Sequence, residues 1–169
     1  GPGDEFDLRA VDGQAIFNRL NLGLFTLTNE EIEQFEINGQ GGDDAFTVGD
    51  LSGSDVQSVV FSGGDGHDFL NGSGTAPPIT ADGGDGDDIL IGGTGDDILL
   101  GGGGADLLIS GGGNDILIGG ENADIFRLAV DDILSGDNIV TIQDFNLQED
   151  RLQLSSLPQA RLGSVSAMR

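Results

Sequence analysis

Between Gly83 and Arg127 a nine-residue unit repeats five times without a break: GGDGDDILI, GGTGDDILL, GGGGADLLI, SGGGNDILI and GGENADIFR. A short fixed period restricts the chain to a solenoid, because one unit buries its apolar side only against its neighbours. Position six is always aspartate (Asp88, Asp97, Asp106, Asp115, Asp124), and position eight is always large and apolar (Leu90, Leu99, Leu108, Leu117, Phe126). Positions one, two and four are mostly glycine. Each unit therefore reads as a turn of glycine and carboxylate followed by a three-residue strand. Strand side chains alternate between faces, so position eight points inward while seven and nine point outward. Two units make one flattened turn, and residues eighteen apart stack roughly 4.8 Å from rung to rung.

Such a stack is electrostatically unfavourable by itself. The chain carries 30 acidic residues against 6 basic ones, for a formal net charge of −24. Two carboxylates on neighbouring rungs repel by roughly 3–4 kcal/mol at an effective dielectric near 20, and the array holds several such pairs. Ordering 31 glycines adds to the cost, since glycine loses more backbone freedom than any other residue. Calcium answers both difficulties. It is a hard cation that takes about six to eight oxygens, and here glycine lets carbonyls turn inward while aspartate supplies charge. Uptake by the folded form alone links folding to binding, at about 1.4 kcal/mol per site when calcium is ten times its dissociation constant.

The array extends upstream. GGDGHDFLN from Gly63 has Asp68 at position six and Leu70 at position eight. The next nine residues, GSGTAPPIT, keep Ile79 in phase but put Pro77 where aspartate belongs, so that loop is expected to lack a metal. Units 63 and 83 are then one turn apart with a two-residue insertion at Ala81 and Asp82. The expected stacking pairs are 63 with 83, 83 with 101 and 101 with 119 on one edge, and 92 with 110 on the other. A partial unit from Gly39, GQGGDDAFT, carries Asp44 and Phe46 at the matching positions and starts the solenoid.

The pattern resembles the GGxGxDxUx nonapeptide of the repeats-in-toxin (RTX) family, where U is a large apolar residue. The resemblance implies an all-β fold, a right-handed parallel β-roll (β-solenoid) with flanking β capping segments. It also implies calcium between stacked loops, held by position-six carboxylates and loop carbonyls. Carried onto this chain, the ligands are Asp68, Asp88, Asp97, Asp106, Asp115 and Asp124, with Asp44, Asp65 and Asp85 as further carboxylates. Gly64, Gly66, Gly84, Gly86, Gly93, Gly95, Gly102, Gly104, Gly111 and Gly113 would supply carbonyls. One ion per stacked pair gives about four calcium ions. DNIVTIQDFNLQEDRLQLSSL from Asp137 resembles the closing segment DxIxDFxxGxDxIDLS that follows such repeats in serralysin-type proteases and other secreted proteins. It departs from it at Leu147-Gln148-Glu149, where glycine is usual, and at Gln153, where aspartate is. Asp144 and Asp150 match its acidic positions and imply a further metal. For the whole chain the resemblance implies an exported bacterial module using type I secretion, unfolded in calcium-poor cytosol and folding in millimolar calcium outside.

Three regions are expected: an N-terminal β cap or irregular rungs over 4–38, the calcium-binding roll over 39–127, regular from 83, and a C-terminal capping segment over 128–169. In the first, Leu22, Leu24 and Thr26 alternate with Phe25 and Leu27, and Phe35 and Ile37 with Gln34 and Glu36. Gly1, Pro2 and Gly3 read as the remnant of a cleaved tag. Aromatic content of 5%, with no Trp or Tyr, predicts a thin aliphatic ladder for a core. There is no cysteine, so neither disulfides nor thiolate metal sites arise. The outward positions are aliphatic too, as at Ile89, Ile91, Ile98 and Leu100. They are expected to be covered by the C-terminal segment, the N-terminal region or a second copy, or to be shielded by their own neighbours.

The charge disfavours nucleic acid and anionic membrane surfaces, and no apolar run of about eighteen residues exists to insert into a bilayer. Catalysis finds little support. His67 sits at the variable position five, matched by Asp87, Asp96, Ala105 and Asn114, and reads as a solvated loop residue rather than a base. Repeated carboxylates favour structure over a glycosidase pair, since an active site is made once. GGxG lacks the Lys-Ser/Thr of a phosphate loop. Two alternatives stand beside the non-catalytic module: a structural rod in a surface adhesin or surface-layer protein, and the auxiliary module of a secreted enzyme.

Overall fold

A computed structural model of the protein describes residues 3–11, 14–19, 27–29, 33–129 and 138–155. Strands alternate between two sheets as the chain winds. β4 (Gln34–Gly41), β6 (Ser58–Asp65), β8 (Ile79–Asp85), β10 (Ile98–Gly103), β12 (Ile116–Glu121) and β14 (Thr141–Ile142) form one parallel sheet in chain order. β5 (Ala45–Val48), β7 (Phe69–Asn71), β9 (Ile89–Ile91), β11 (Leu107–Ile109), β13 (Ile125–Ala129) and β15 (Arg151–Ser155) run parallel in the other. The result is a parallel β-solenoid, with no helix among the described residues.

Register puts one apolar side chain of every rung into each wall of the interior. Phe46, Leu70, Leu90, Leu108 and Phe126 line up on one sheet, all fully buried. Ile37, Phe61, Ala81, Leu99 and Leu117 line up on the other. The core is thus two facing single files. It widens toward the N-terminus, where the rings of Phe46 and Phe61 stack with centroids 5.7 Å apart.

Register also corrects the placement of the insertion. Thr80 pairs with Ile98 and Ala81 with Leu99, so Ala81, not Ile79, occupies the position-eight column. Ile79 is inward as well, two residues earlier and opposite Val59. The two extra residues therefore lie in the turn before β8, where Pro77 and Pro78 widen the path.

The N-terminal end is built differently. β1 (Glu5–Val11) pairs in parallel with β5, then antiparallel with β2 (Gln14–Arg19), which pairs antiparallel with β3 (Leu27–Asn29). Of the expected alternation there, Leu22, Leu24, Phe25 and Thr26 lie outside the described residues, and Leu27 opens β3. Phe35 and Ile37 are buried between exposed Gln34 and Glu36 as alternation requires.

At the other end the described part of the C-terminal segment, residues 138–155, does not lie across an outer face. β14 pairs in parallel with β12 and β15 with β13, so it adds one more strand to each sheet. Leu152 and Leu154 fall opposite Phe126 and Leu128, at inward positions of the last rung, and stay 47% and 57% exposed. Phe145 closes part of that end, its ring centroid 5.8 Å from that of Phe126. The outward aliphatics are mostly half-buried by their own column; Ile89 and Ile98 are the most open, at 38% each.

Candidate metal centre

Positions two and four of most loops take a left-handed backbone conformation that favours glycine, although Gln40 at position two and Asn122 at position four adopt it as well, at φ of 74° and 78°. Gly84 and Gly86 have φ of 107° and 132°, in the left-handed half of the map. A methyl group on them would lie 2.1 Å and 1.9 Å from the carbonyl oxygens of Gly64 and Gly66 on the rung before. The same approach recurs at Gly102 and Gly104 over Gly84 and Gly86, and at Gly111 and Gly113 over Gly93 and Gly95. Positions two and four therefore stack carbonyl on Cα from rung to rung, which lines each edge with backbone oxygen.

The position-six aspartates enter this edge from inside. Asp68, Asp88, Asp97, Asp106, Asp115 and Asp124 are all buried, with at most 2% of their surface exposed. Along one edge, each Oδ1 accepts the backbone N–H of the aspartate one rung earlier. Asp44 donates to Asp68 at 2.7 Å, Asp68 to Asp88 at 2.7 Å, Asp88 to Asp106 at 2.8 Å and Asp106 to Asp124 at 2.9 Å. Asp44 Oδ1 in turn accepts the N–H of Asp4. On the other edge Asp115 accepts from Asp97 at 2.9 Å and Asp97 from Ile79 at 2.7 Å.

The second carboxylate oxygen distinguishes these aspartates. Oδ2 of Asp68, Asp88, Asp106 and Asp124 is buried and receives no hydrogen bond. A buried charge left in this way is costly unless something neutralises it. Burial accordingly pushes the carboxyls of Asp88 and Asp106 up to about 6 and about 7, and raises those of Asp68 and Asp124, against the pull of the backbone N–H each accepts. Asp97 is also raised, to about 6, but its Oδ2 accepts the Gly93 N–H at 2.6 Å.

This donor set fits a hard cation. It offers only oxygen, buried carboxylate and stacked carbonyl, which is the chemistry calcium takes and thiophilic metals do not. No three carboxylates or imidazoles converge on one point among the described residues.

The remaining expected residues divide. Asp65 and Asp85 pair in register at position three and are exposed. Asp85 joins Asp82, Glu121, Gly84, Gly102 and Gly103 around an open trough of about 370 Å³. Asp144 gives both oxygens to backbone, accepting Gly119 N–H at 3.0 Å and Gly120 N–H at 2.8 Å. Asp150 continues the position-six ladder by accepting Asp124 N–H at 3.0 Å, but its Oδ2 accepts Asn146 N–H at 2.7 Å. His67 is exposed, yet its Nδ1 accepts the Asp87 N–H at 2.9 Å, so it is tied to the next rung rather than merely solvated.

Comparison with protein families finds the RTX calcium-binding nonapeptide repeat in four copies, over residues 59–75, 82–117 and 100–128. Residues 59–128 carry RTX calcium-binding repeats. No curated protein and no solved structure matches the chain. The RTX span contains Asp68, Asp88, Asp106 and Asp124, each with a buried Oδ2 that accepts no hydrogen bond. It takes in the Pro77 side of the widened turn only as far as Thr75 and resumes at Asp82, skipping the segment that lacks the position-six carboxylate.

Proposed function

We propose that the protein is a non-catalytic calcium-binding module of an exported bacterial protein, one that folds on meeting calcium outside the cell. The observation that carries this reading is the row of buried, donor-free Oδ2 atoms on Asp68, Asp88, Asp106 and Asp124. Bound calcium would neutralise these carboxylates and tie neighbouring rungs together. Asp68, Asp88, Asp106 and Asp124 would hold it on one edge and Asp97 and Asp115 on the other, with carbonyls of the position-two and position-four glycines completing the oxygen set.

Export follows from matching affinity to compartment. Affinities near 10⁻⁴ to 10⁻³ M, usual for extracellular modules, leave the cytosolic chain unloaded and the external chain loaded. An unloaded chain with 30 acidic residues resists collapse and suits passage through a type I secretion channel. No helix among the described residues is long and apolar enough to cross a membrane. A non-catalytic role is supported by the spending of each position-six Oδ1 on backbone, an arrangement repeated along the stack where an active site would be single.

Isothermal titration with calcium, with magnesium as control, tests the reading. About four calcium ions per chain and no magnesium uptake are expected, since magnesium demands tight octahedral geometry and gives up water reluctantly. Equal uptake of both ions, or of neither, would overturn it.

A further inference from the structure

We infer that the side chains at position five form a second clasp between rungs, one that uses no metal, and that this clasp is missing between the loops at 101 and 119. Backbone accounting shows the need for it. In the loop from Gly83, Gly86 N–H donates to the Gly103 carbonyl at 2.6 Å and Ile89 N–H to the Asp68 carbonyl at 2.9 Å. The two N–H groups between them find no backbone acceptor. Asp88 N–H goes to the Asp106 carboxylate at 2.8 Å, and Asp87 N–H goes to His67 Nδ1 at 2.9 Å. A glycine turn breaks the parallel ladder for two residues, and side chains take its place.

The position-five bond recurs on both edges. His67 N–H donates to Asp43 Oδ1 at 2.9 Å and Ala105 N–H to Asp87 Oδ1 at 2.8 Å. Asn114 N–H donates to Asp96 Oδ1 at 2.8 Å, and Ile139 N–H to Asn114 Oδ1 at 3.0 Å. Aspartate, asparagine and histidine share only an acceptor at a similar reach, which is the property the position needs. The direction is opposite to that at position six. A position-five side chain accepts from the rung after it, and a position-six side chain from the rung before it, so a loop pair with both is bound in both directions.

Alanine at 105 accepts nothing. Ala123 N–H therefore has no side-chain acceptor on the rung before it, and between the backbone bonds of Gly104 N–H to Glu121 O and Ile125 N–H to Asp106 O the 101/119 pair keeps only the Asp106 N–H bond to Asp124 Oδ1. Ala76 leaves the 72/92 interval without the clasp as well, but that loop lacks a position-six carboxylate; among the pairs expected to hold calcium (63/83, 83/101, 92/110 and 101/119), the 101/119 interval is the one most dependent on it. This last step rests on the calcium-driven folding proposed above; the clasp itself does not.

Amide exchange by NMR on the calcium-loaded protein, together with calcium titrations followed by circular dichroism, tests both parts. Asp87→Ala should speed exchange at Ala105 by about fivefold, the equivalent of one hydrogen bond, while Asp87→Asn, which keeps Oδ1 and loses the charge, should not. Ala105→Asn should slow exchange at Ala123 by about the same factor and lower the calcium midpoint by about 1.5-fold, one bond shared over about four ions. Unchanged exchange at Ala105 in Asp87→Ala, or at Ala123 in Ala105→Asn, would overturn the clasp. Slowed exchange with an unmoved midpoint would overturn its link to calcium. A wild-type chain already folded without calcium would instead overturn the proposed function, with the exchange comparison still deciding the clasp.

Discussion

Asp88 and Asp106 are joined by a 2.8 Å hydrogen bond from the backbone N–H of the first to Oδ1 of the second, while the other oxygen of Asp106 is buried without a donor. One carboxylate thus does two different things. Oδ1 fixes the spacing of rungs, and Oδ2 leaves a charge that the protein does not neutralise by itself.

Replacing Asp106 separates these roles. Asp106→Asn keeps an Oδ1 acceptor for Asp88 and removes the charge, so the rung contact survives while a calcium ligand is lost. The calcium midpoint for folding should rise, and rise further in Asp106→Ala, where the hydrogen bond of about 1 kcal/mol is lost too. Asp68→Ala, nearer the end of the regular array, should raise it less. Calcium titrations of the three variants by circular dichroism check the order.

Acid should partly replace calcium. Asp88 and Asp106 titrate near 6 and 7 in the folded chain because of burial, against an ordinary 3.8, so the folded form holds more protons than the unfolded one between those values. Stability of the metal-free fold is therefore favoured below about pH 4 and declines as pH rises through 6 to 7. Circular dichroism in chelator from pH 4 to 8 should show β-structure decreasing with pH. Calcium affinity should run the other way and weaken below pH 7, because protons compete for the same oxygens.

Glycine is required at some loop positions and not others. Gly86→Ala places a methyl 1.9 Å from the Gly66 carbonyl oxygen at a φ of 132°, and should cost about 1–3 kcal/mol or more. Gly103→Ala, whose nearest contact is the Asp85 carboxylate at 3.3 Å, should be close to neutral. Thermal unfolding in saturating calcium distinguishes them.

The apolar files should behave as a core. Leu108 is fully buried between Leu90 and Phe126, and Leu108→Ala should cost about 2–5 kcal/mol. Ile98, outward and 38% exposed, should tolerate serine far better. Thermal unfolding in calcium again provides the measure.

Period and residue type made most of this legible in the sequence. A fixed aspartate and a fixed large apolar residue every nine positions placed β9, β11 and β13, the inward files and the stacked loop pairs. The insertion was misplaced because Ile79 and Ala81 are both inward on an alternating strand, and the larger looked like the core residue. The alternation of Leu152 and Leu154 marked them as sharing a face without saying which sheet edge would receive them; they continue the inward files. Position five looked variable because its common property is a hydrogen-bond acceptor, which Asp43, His67, Asp87 and Asn114 supply with three different residue types. The donor-free state of Oδ2 at Asp68, Asp88, Asp106 and Asp124 depends on burial and could not be read from a repeat.

Far-UV circular dichroism of the same sample, first in excess chelator and then with millimolar calcium restored, tests the central claim most directly. The predicted result is a largely unordered spectrum that becomes β-rich on adding calcium and reverts on chelation. An identical β-rich spectrum in both states would contradict it.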